Sequence, residues 1–310
     1  MHRIAVVTGS SSGIGNTTAN RLLDAGFTVI GLARHHDQYA MKHARYHPRV
    51  VDLSDIENLD KIAVEISKNY PKISVVVCNA GFGDFRHLEN FSYLQIQEFL
   101  NVNLVSHIVL CRHMINGMKK LGRGDIVIVG SEAALIGKRK ATLYSAAKFG
   151  MRGFAQSLRD EVGSSGLRVC LINPGMVRSA FFDDLDFEPG SSPENAIEPD
   201  DIAKIIVEVV EARKGTVIDE INLSPASKVK HFKTKKSQIH TNKTHNLNTA
   251  VSNRIPTSSG IRTTVFSLWI FVFALSEMVK WLKISICFVT QSLQTAAKLG
   301  EICGGLVTRF

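Results

Sequence analysis

This chain of 310 residues has few of the features that mark a small cross-linked or metal-clasped protein. Its five cysteines (Cys78, Cys111, Cys170, Cys287 and Cys303) are scattered, with no paired spacing. That excludes a disulfide framework and a cysteine-rich zinc motif, and makes a reducing compartment the expectation. His35, His36, His43 and His47 cluster in sequence, but without partners at ligand spacing, so no metal is expected. There is no room for a secretory leader between Met1-His2-Arg3 and the apolar run that follows, which gives a cytoplasmic reading. Net charge is lacking where it would matter most. Residues 1–225 carry 25 Lys and Arg against 26 Asp and Glu, net −1, which removes any electrostatic reason to expect nucleic acid there. Residues 226–310 carry 12 against 2, so the chain's +9 belongs to the tail, where a polyanion or an anionic membrane surface could be met.

A long uninterrupted apolar run is also missing. The stretch Thr264–Leu275 is intensely apolar but shorter than the roughly 18 residues of a spanning helix, and Glu277, Lys280 and Lys283 follow at helical spacing. An interfacial amphipathic helix, a partner-binding helix and a membrane span all remain open for it, as does an extension without function.

The 45% hydrophobic content is enough to bury a full core. Through residue 223 strand-like runs alternate with helical patterns, the signature of an α/β fold with a doubly wound parallel sheet of about seven strands. Strands are expected near 3–8, 27–33, 48–52, 73–78, 125–130, 167–172 and 217–222. Helices are expected near 14–25, 55–69, 91–120, 142–163 and 199–213, with a short one around 37–44, and Gly26, Gly124 and Gly166 stand where helix caps belong. The reading is one domain over 1–225, a basic solvated linker over 226–260, and a hydrophobic or amphipathic extension over 261–310. The connection from Gly175 to Pro199, rich in phenylalanine and carboxylates, reads as a substrate lid, with a mobile surface loop as the alternative.

The motifs sit at the ends of these strands. Thr8-Gly9-Ser10-Ser11-Ser12-Gly13-Ile14-Gly15 follows the first strand and opens the first helix, where a glycine turn and free helix amides receive a pyrophosphate. Further on come Asn79-Ala80-Gly81, Asn103, Ser131, Tyr144-Ser145-Ala146-Ala147-Lys148 and Asn173-Pro174-Gly175. Six motifs in this order resemble the short-chain dehydrogenase/reductase family over residues 1 to about 225. The resemblance implies a single Rossmann-type domain and hydride exchange between a nicotinamide cofactor and a carbonyl or secondary alcohol. In that pattern Tyr144 is the general acid or base, Ser131 holds the substrate oxygen, Lys148 reaches the nicotinamide ribose, and Asn103 supports a water that refills the relay. The four-residue spacing puts Tyr144 and Lys148 on one helix face, where the ammonium is expected to lower the phenol's pKa.

The end of the second strand bears on cofactor choice. It reads Gly31-Leu32-Ala33-Arg34-His35, with no carboxylate for the ribose hydroxyls of NAD, and Arg34 is placed to pair with the 2′-phosphate of NADP. NADP(H) is therefore expected over NAD(H). By the same resemblance Asp52 and Leu53 meet the adenine, Asn79 to Gly81 line the pocket, and Pro174, Gly175, Val177 and Ser179 approach the nicotinamide, with Ser179 where threonine is usual. A homodimer or tetramer is implied in the same way. A nucleotide-sensing protein that regulates a partner through its tail is the alternative to an enzyme, and an intact Ser131, Tyr144 and Lys148 set argues against it.

Overall fold

In a computed structural model of the chain, residues 3–36 and 43–233 are described. The expected helix around 37–44 and the extension past 233 lie outside them, save for residues 43 and 44. Among the described residues, no helix is long and apolar enough to cross a membrane.

Seven strands form one parallel sheet: β1 (Ile4–Thr8), β2 (Thr28–Ala33), β3 (Tyr46–Val50), β4 (Ile73–Cys78), β5 (Gly124–Val129), β6 (Leu167–Pro174) and β8 (Glu220–Leu223). Their order is β3-β2-β1-β4-β5-β6-β8. Successive strands run outward in one direction from β1 and in the other from β4, so the switch of direction falls between these two. Parallel central strands are covered on both faces, which is why β4, Ile73-Ser74-Val75-Val76-Val77-Cys78, is apolar at every position but Ser74 and buried throughout.

Among the described residues there are six α-helices: α1 (Gly13–Asp24), α2 (Ile56–Asn69), α3 (Tyr93–Leu100), α4 (Ser106–Leu121), α5 (Thr142–Val162) and α6 (Pro199–Glu211). Leu59, Ile66, Leu110, Met118 and Met151 from α2, α4 and α5 build one core with the sheet residues Val76 and Ile126. Leu22 and Ile206 from α1 and α6 build the other with Val7, Val75 and Val127. Alternation along β1 and β4 divides their side chains between these two faces. Cys78 and Cys111, remote in sequence, meet in the first core with sulfur atoms 3.7 Å apart.

Three features differ from the sequence reading. The helix expected over 91–120 is two helices joined by a widened π-helical turn at Asn101–Val105. Asn103, inside that turn, donates through Nδ2 to Phe99 O at 3.1 Å, and Asn101 ties the same turn to Ser54 O at 2.9 Å. The cap after α4 is Gly122, with φ 63°, whereas Gly124 opens β5. The lid region holds β7 (Phe187–Pro189), which pairs antiparallel with β9 (Lys230–Phe232). The chain after Pro225 thus does not become a solvated linker at once. It runs along the lid, with Gly190 N donating to Val229 O at 3.0 Å and Lys233 N to Asp186 O at 2.9 Å. Composition hides this because lysines at exposed positions of a short edge pair look like linker.

Candidate active site

One hydroxyl joins the carboxyl ends of β1 and β4. Thr8 Oγ1 donates to Val77 O at 3.3 Å and accepts from the amides of Asn79 at 2.9 Å and Ala80 at 3.0 Å. Asn79 Nδ2 returns a bond to Thr8 O at 2.9 Å. The chain leaves β1 through Gly9 (φ 66°) and enters α1 through Gly13 (φ 51°), left-handed conformations natural to glycine. A Cβ at position 9 would stand 2.9 Å from Asn79 Nδ2 and 3.0 Å from Ala80 Cα, so the turn has no room for a side chain.

Helix α1 has no side-chain cap from Ser12 and no acidic residue in its first turn, whereas α2 is capped by Asp55 and α3 by Ser92. Its positive end is therefore left to an external anion. Ser11, Ser12, Gly13 and Ile14 face a cleft of roughly 1010 Å³. Arg34, Asp52 and Leu53 line its outer side, Asn79, Ala80 and Gly81 its centre, and Pro174, Gly175, Val177 and Ser179 the roof. Gly15 does not line the cleft. It is buried behind the turn, against the backbone of Gly9.

At the outer side Arg34 is exposed and makes no hydrogen bond or ion pair among the described residues, though its charge helps hold the Asp52 carboxyl below its usual range, after the hydrogen bond from Ser54 N. Beneath it, Tyr46 links Ser10 Oγ at 3.0 Å to His36 Nδ1 at 3.2 Å, and His36 Nε2 reaches Arg49 O at 3.2 Å. His36 is thus engaged as a buried structural side chain. The donors around the cleft suit a phosphorylated nucleotide: a crowded glycine turn, an uncapped helix end, hydroxyls and a free guanidinium.

At the inner end Asn103, Ser131, Tyr144 and Lys148 also line the cleft, and all four are buried. Tyr144 and Lys148 lie one turn apart on α5. Lys148 Nζ stands 5.7 Å from the Tyr144 ring centroid and donates to Val129 O at 3.1 Å. Ser131 hydrogen-bonds the Tyr144 phenol, and its own Oγ accepts from Ala133 N at 3.1 Å. Asn103 Oδ1 accepts from Phe82 N at 3.2 Å, beside Gly81, where a Cβ would come 2.7 Å from that oxygen and 3.8 Å from Lys148 Nζ. Asn103 and Lys148 therefore approach each other across a residue with no side chain.

The electrostatics correct one expectation. Burial pushes the Tyr144 phenol up to about 12, opposed by the Ser131 hydrogen bond and assisted by the Glu132 carboxylate. Lys148 does not pull it down. Burial instead brings the lysine down to about 8, since desolvation penalises each charged form and, among the described residues, no carboxylate pairs with the ammonium. The protein's own groups thus keep the phenol protonated at neutral pH, the form required of a proton donor.

Several residues of the site escape motif reading. Ser131 N donates to Asn173 Oδ1 at 3.3 Å, and Asn173 Nδ2 donates to Glu220 Oε1 and Asn222 Oδ1, both at 2.9 Å. Arg152 holds the other Glu220 oxygen at 3.2 Å. His107 is buried and reaches Ala80 O through Nε2 at 2.9 Å, while its Nδ1 has no hydrogen-bond partner among the described residues. Burial lowers its pKa to about 4. A polar residue one turn after Asn103 on an otherwise apolar face was a signal for His107. Nothing local marks Glu220.

The model of the short chain dehydrogenase family matches residues 3–188, well over half of the chain. The chain belongs to the short-chain dehydrogenase family. This short-chain dehydrogenase is 30% identical over 186 residues to a 3-oxoacyl-(acyl-carrier-protein) reductase of Buchnera aphidicola, covering 59% of this chain and 76% of the relative. It is 29% identical over 181 residues to a 3-ketodihydrosphingosine reductase of Bacteroides thetaiotaomicron, covering 58% and 66%. Among solved structures it resembles a metagenomic short-chain oxidoreductase in complex with NADP, at 27% identity and TM-score 0.62, covering 72% of this chain and 96% of that one. As a member of this family it is an oxidoreductase, and the family binds nicotinamide cofactors.

Proposed function

We propose that this short-chain dehydrogenase is an NADPH-dependent reductase that converts a ketone or aldehyde to an alcohol. The observation that carries the reading is the buried set of Tyr144, Ser131 and Lys148 at the inner end of the same cleft that the uncapped α1 terminus enters. The names of the two curated relatives both describe reductions of a ketone, and a neighbour of similar fold holds NADP, which supports the same direction and cofactor.

Ser11, Ser12, Gly13 and Ile14 would hold the pyrophosphate, Arg34 the 2′-phosphate, Asp52 and Leu53 the adenine, and Lys148 with Val177 and Ser179 the nicotinamide end. NADPH bound there supplies the hydride. Ser131 Oγ orients the substrate oxygen, Tyr144 gives it a proton, and Lys148 with Asn103 leads a replacement proton in from solvent. The chain Arg152–Glu220–Asn173 fixes the Ser131 backbone and so the direction of its hydroxyl. A pure nucleotide sensor would gain nothing from burying a lysine and a phenol at this point, because each burial has a desolvation cost.

The test is NADPH consumption by the full-length protein against a panel of ketones, aldehydes and 3-oxo esters, compared with Tyr144→Phe. Turnover that survives this substitution rejects the proton-donor assignment. Absence of turnover on the whole panel rejects the reductase reading. An oligomer built on α4 and α5 and a membrane-surface role for the basic extension are further proposals, the latter concerning residues outside those described.

A further inference from the structure

The lid has two chemically different sides. Between Phe181 and Glu188 the phenylalanines turn inward, with Phe182 and Phe187 buried, while Asp183, Asp184 and Asp186 are exposed. The Tyr144 ring meets Phe85 at 5.1 Å and Phe181 at 6.1 Å between centroids. Phe187 extends the wall to Phe85 at 5.3 Å, Phe182 at 5.8 Å and Phe232 at 6.5 Å. These rings come from the loop after β4, from α5, from the lid and from β9, and all of them line the cleft.

Strand β9 acts as a strap across this wall. Phe232 stands opposite Phe187 in the β7–β9 register, and Lys233 Nζ donates to Phe182 O at 2.6 Å and Asp183 O at 3.1 Å. Lys230 Nζ lies 4.7 Å from the Phe187 ring centroid, and Lys228 pairs with Glu132 at 2.6 Å. Lys230 and Lys233 thus engage the lid, while Lys228 ties the strap to Glu132, next to Ser131.

Resting on the reductase reading, we propose that the substrate is a carbonyl compound with an extended apolar acyl or aryl body, received by the aromatic wall of Phe85, Phe181, Phe187 and Phe232, and that the strap helps set this specificity. A cationic or amine-bearing body would have to leave water for a surface of ring carbons, and Asp184 and Asp186, though they line the cleft, are themselves exposed, so water screens what they could repay. An apolar body gains free energy with each methylene it buries. Aromatic rings also accept flat substituents edge-on or offset.

The experiment measures kcat/KM of the full-length protein with saturating NADPH on methyl ketones from butanone to decanone, with aminoacetone as the amine-bearing match to butanone. Binding of acetophenone is followed separately by saturation-transfer NMR. The expected result is a rise of up to about fourfold per added methylene until the wall is filled, with aminoacetone below butanone. The rise should flatten in Phe187→Leu, which keeps most of the volume, and in Phe232→Ala, at a position mostly exposed and so harmless to folding. Turnover that is flat with length, or that favours aminoacetone, overturns the proposal and leaves the reductase reading standing. Acetophenone binding that both substitutions weaken, without turnover of any ketone, supports the aromatic chamber and removes the reductase reading.

Discussion

The two ends of the cleft are built from different materials. The end proposed to hold the nucleotide is made of backbone: a turn too tight for side chains, an uncapped helix and amides tied to Thr8. The end proposed to receive the substrate is made of side chains, aromatic rings gathered from four distant segments and strapped by lysines. Backbone construction needs glycine and small polar residues at fixed spacings and so leaves a motif. Aromatic construction needs only bulk, which any hydrophobic position supplies, and leaves none.

Substitutions should separate the two ends. The largest effect falls where they meet: Tyr144→Phe should lower kcat by about 10²–10⁴-fold with NADPH affinity little changed, whereas Lys148→Ala should lower turnover and weaken NADPH as well. Stopped-flow turnover beside fluorescence titration of NADPH distinguishes them. Equal loss of cofactor binding in both variants would erase the boundary between the ends.

Next is stability in acid. His107 titrates near 4 in the folded chain against an ordinary 6.5, so its contribution is complete above pH 6.5 and disappears as pH falls toward 4. The total is about 3 kcal/mol. Urea unfolding across this range should show a shallower acid limb in His107→Asn than in the native chain. An unchanged limb would mean that the Ala80 carbonyl, and with it the nucleotide end, does not depend on this side chain.

Arg34→Ala should weaken NADPH by one to two orders of magnitude, about 1.5–3 kcal/mol, and leave NADH nearly unaffected. Comparing the two Michaelis constants tests it, and parallel loss would move the phosphate contact elsewhere. The smallest effect concerns the strap. A chain ending after Lys233 should match the full chain on apolar ketones, while one ending after Pro225 should lose about tenfold in kcat/KM for long ketones relative to butanone, with NADPH affinity held. Loss of NADPH affinity in the shorter chain would tie the strap to the nucleotide end after all.

This contrast explains what was legible in the sequence. The parallel sheet was visible because buried strands such as Val75-Val76-Val77 interrupt helical periodicity without ambiguity. Ser131, Tyr144 and Lys148 could be named because, together with the glycine turn, they stand in the order and spacing of the family they resemble. The break at Asn103 was hidden, since a π-helical turn changes the hydrogen bonding of a helix without changing its composition. The phenol's raised pKa was missed for a related reason: spacing gives the distance to a charge but not the depth of burial, and here burial decides. Glu220 and the strap belong to pairings between segments far apart, for which single-sequence patterns carry no signal.

The strand order has a consequence for the growing chain. The glycine turn is synthesised well before its near wall, the end of β4, which pairs with β1 across about 70 residues of sequence. The opposite wall needs β5, and the Asn173 brace under Ser131 needs β8, close to the end of the described chain. The dinucleotide therefore has no partial home on the ribosome, and binding can reward only a sheet that has already closed.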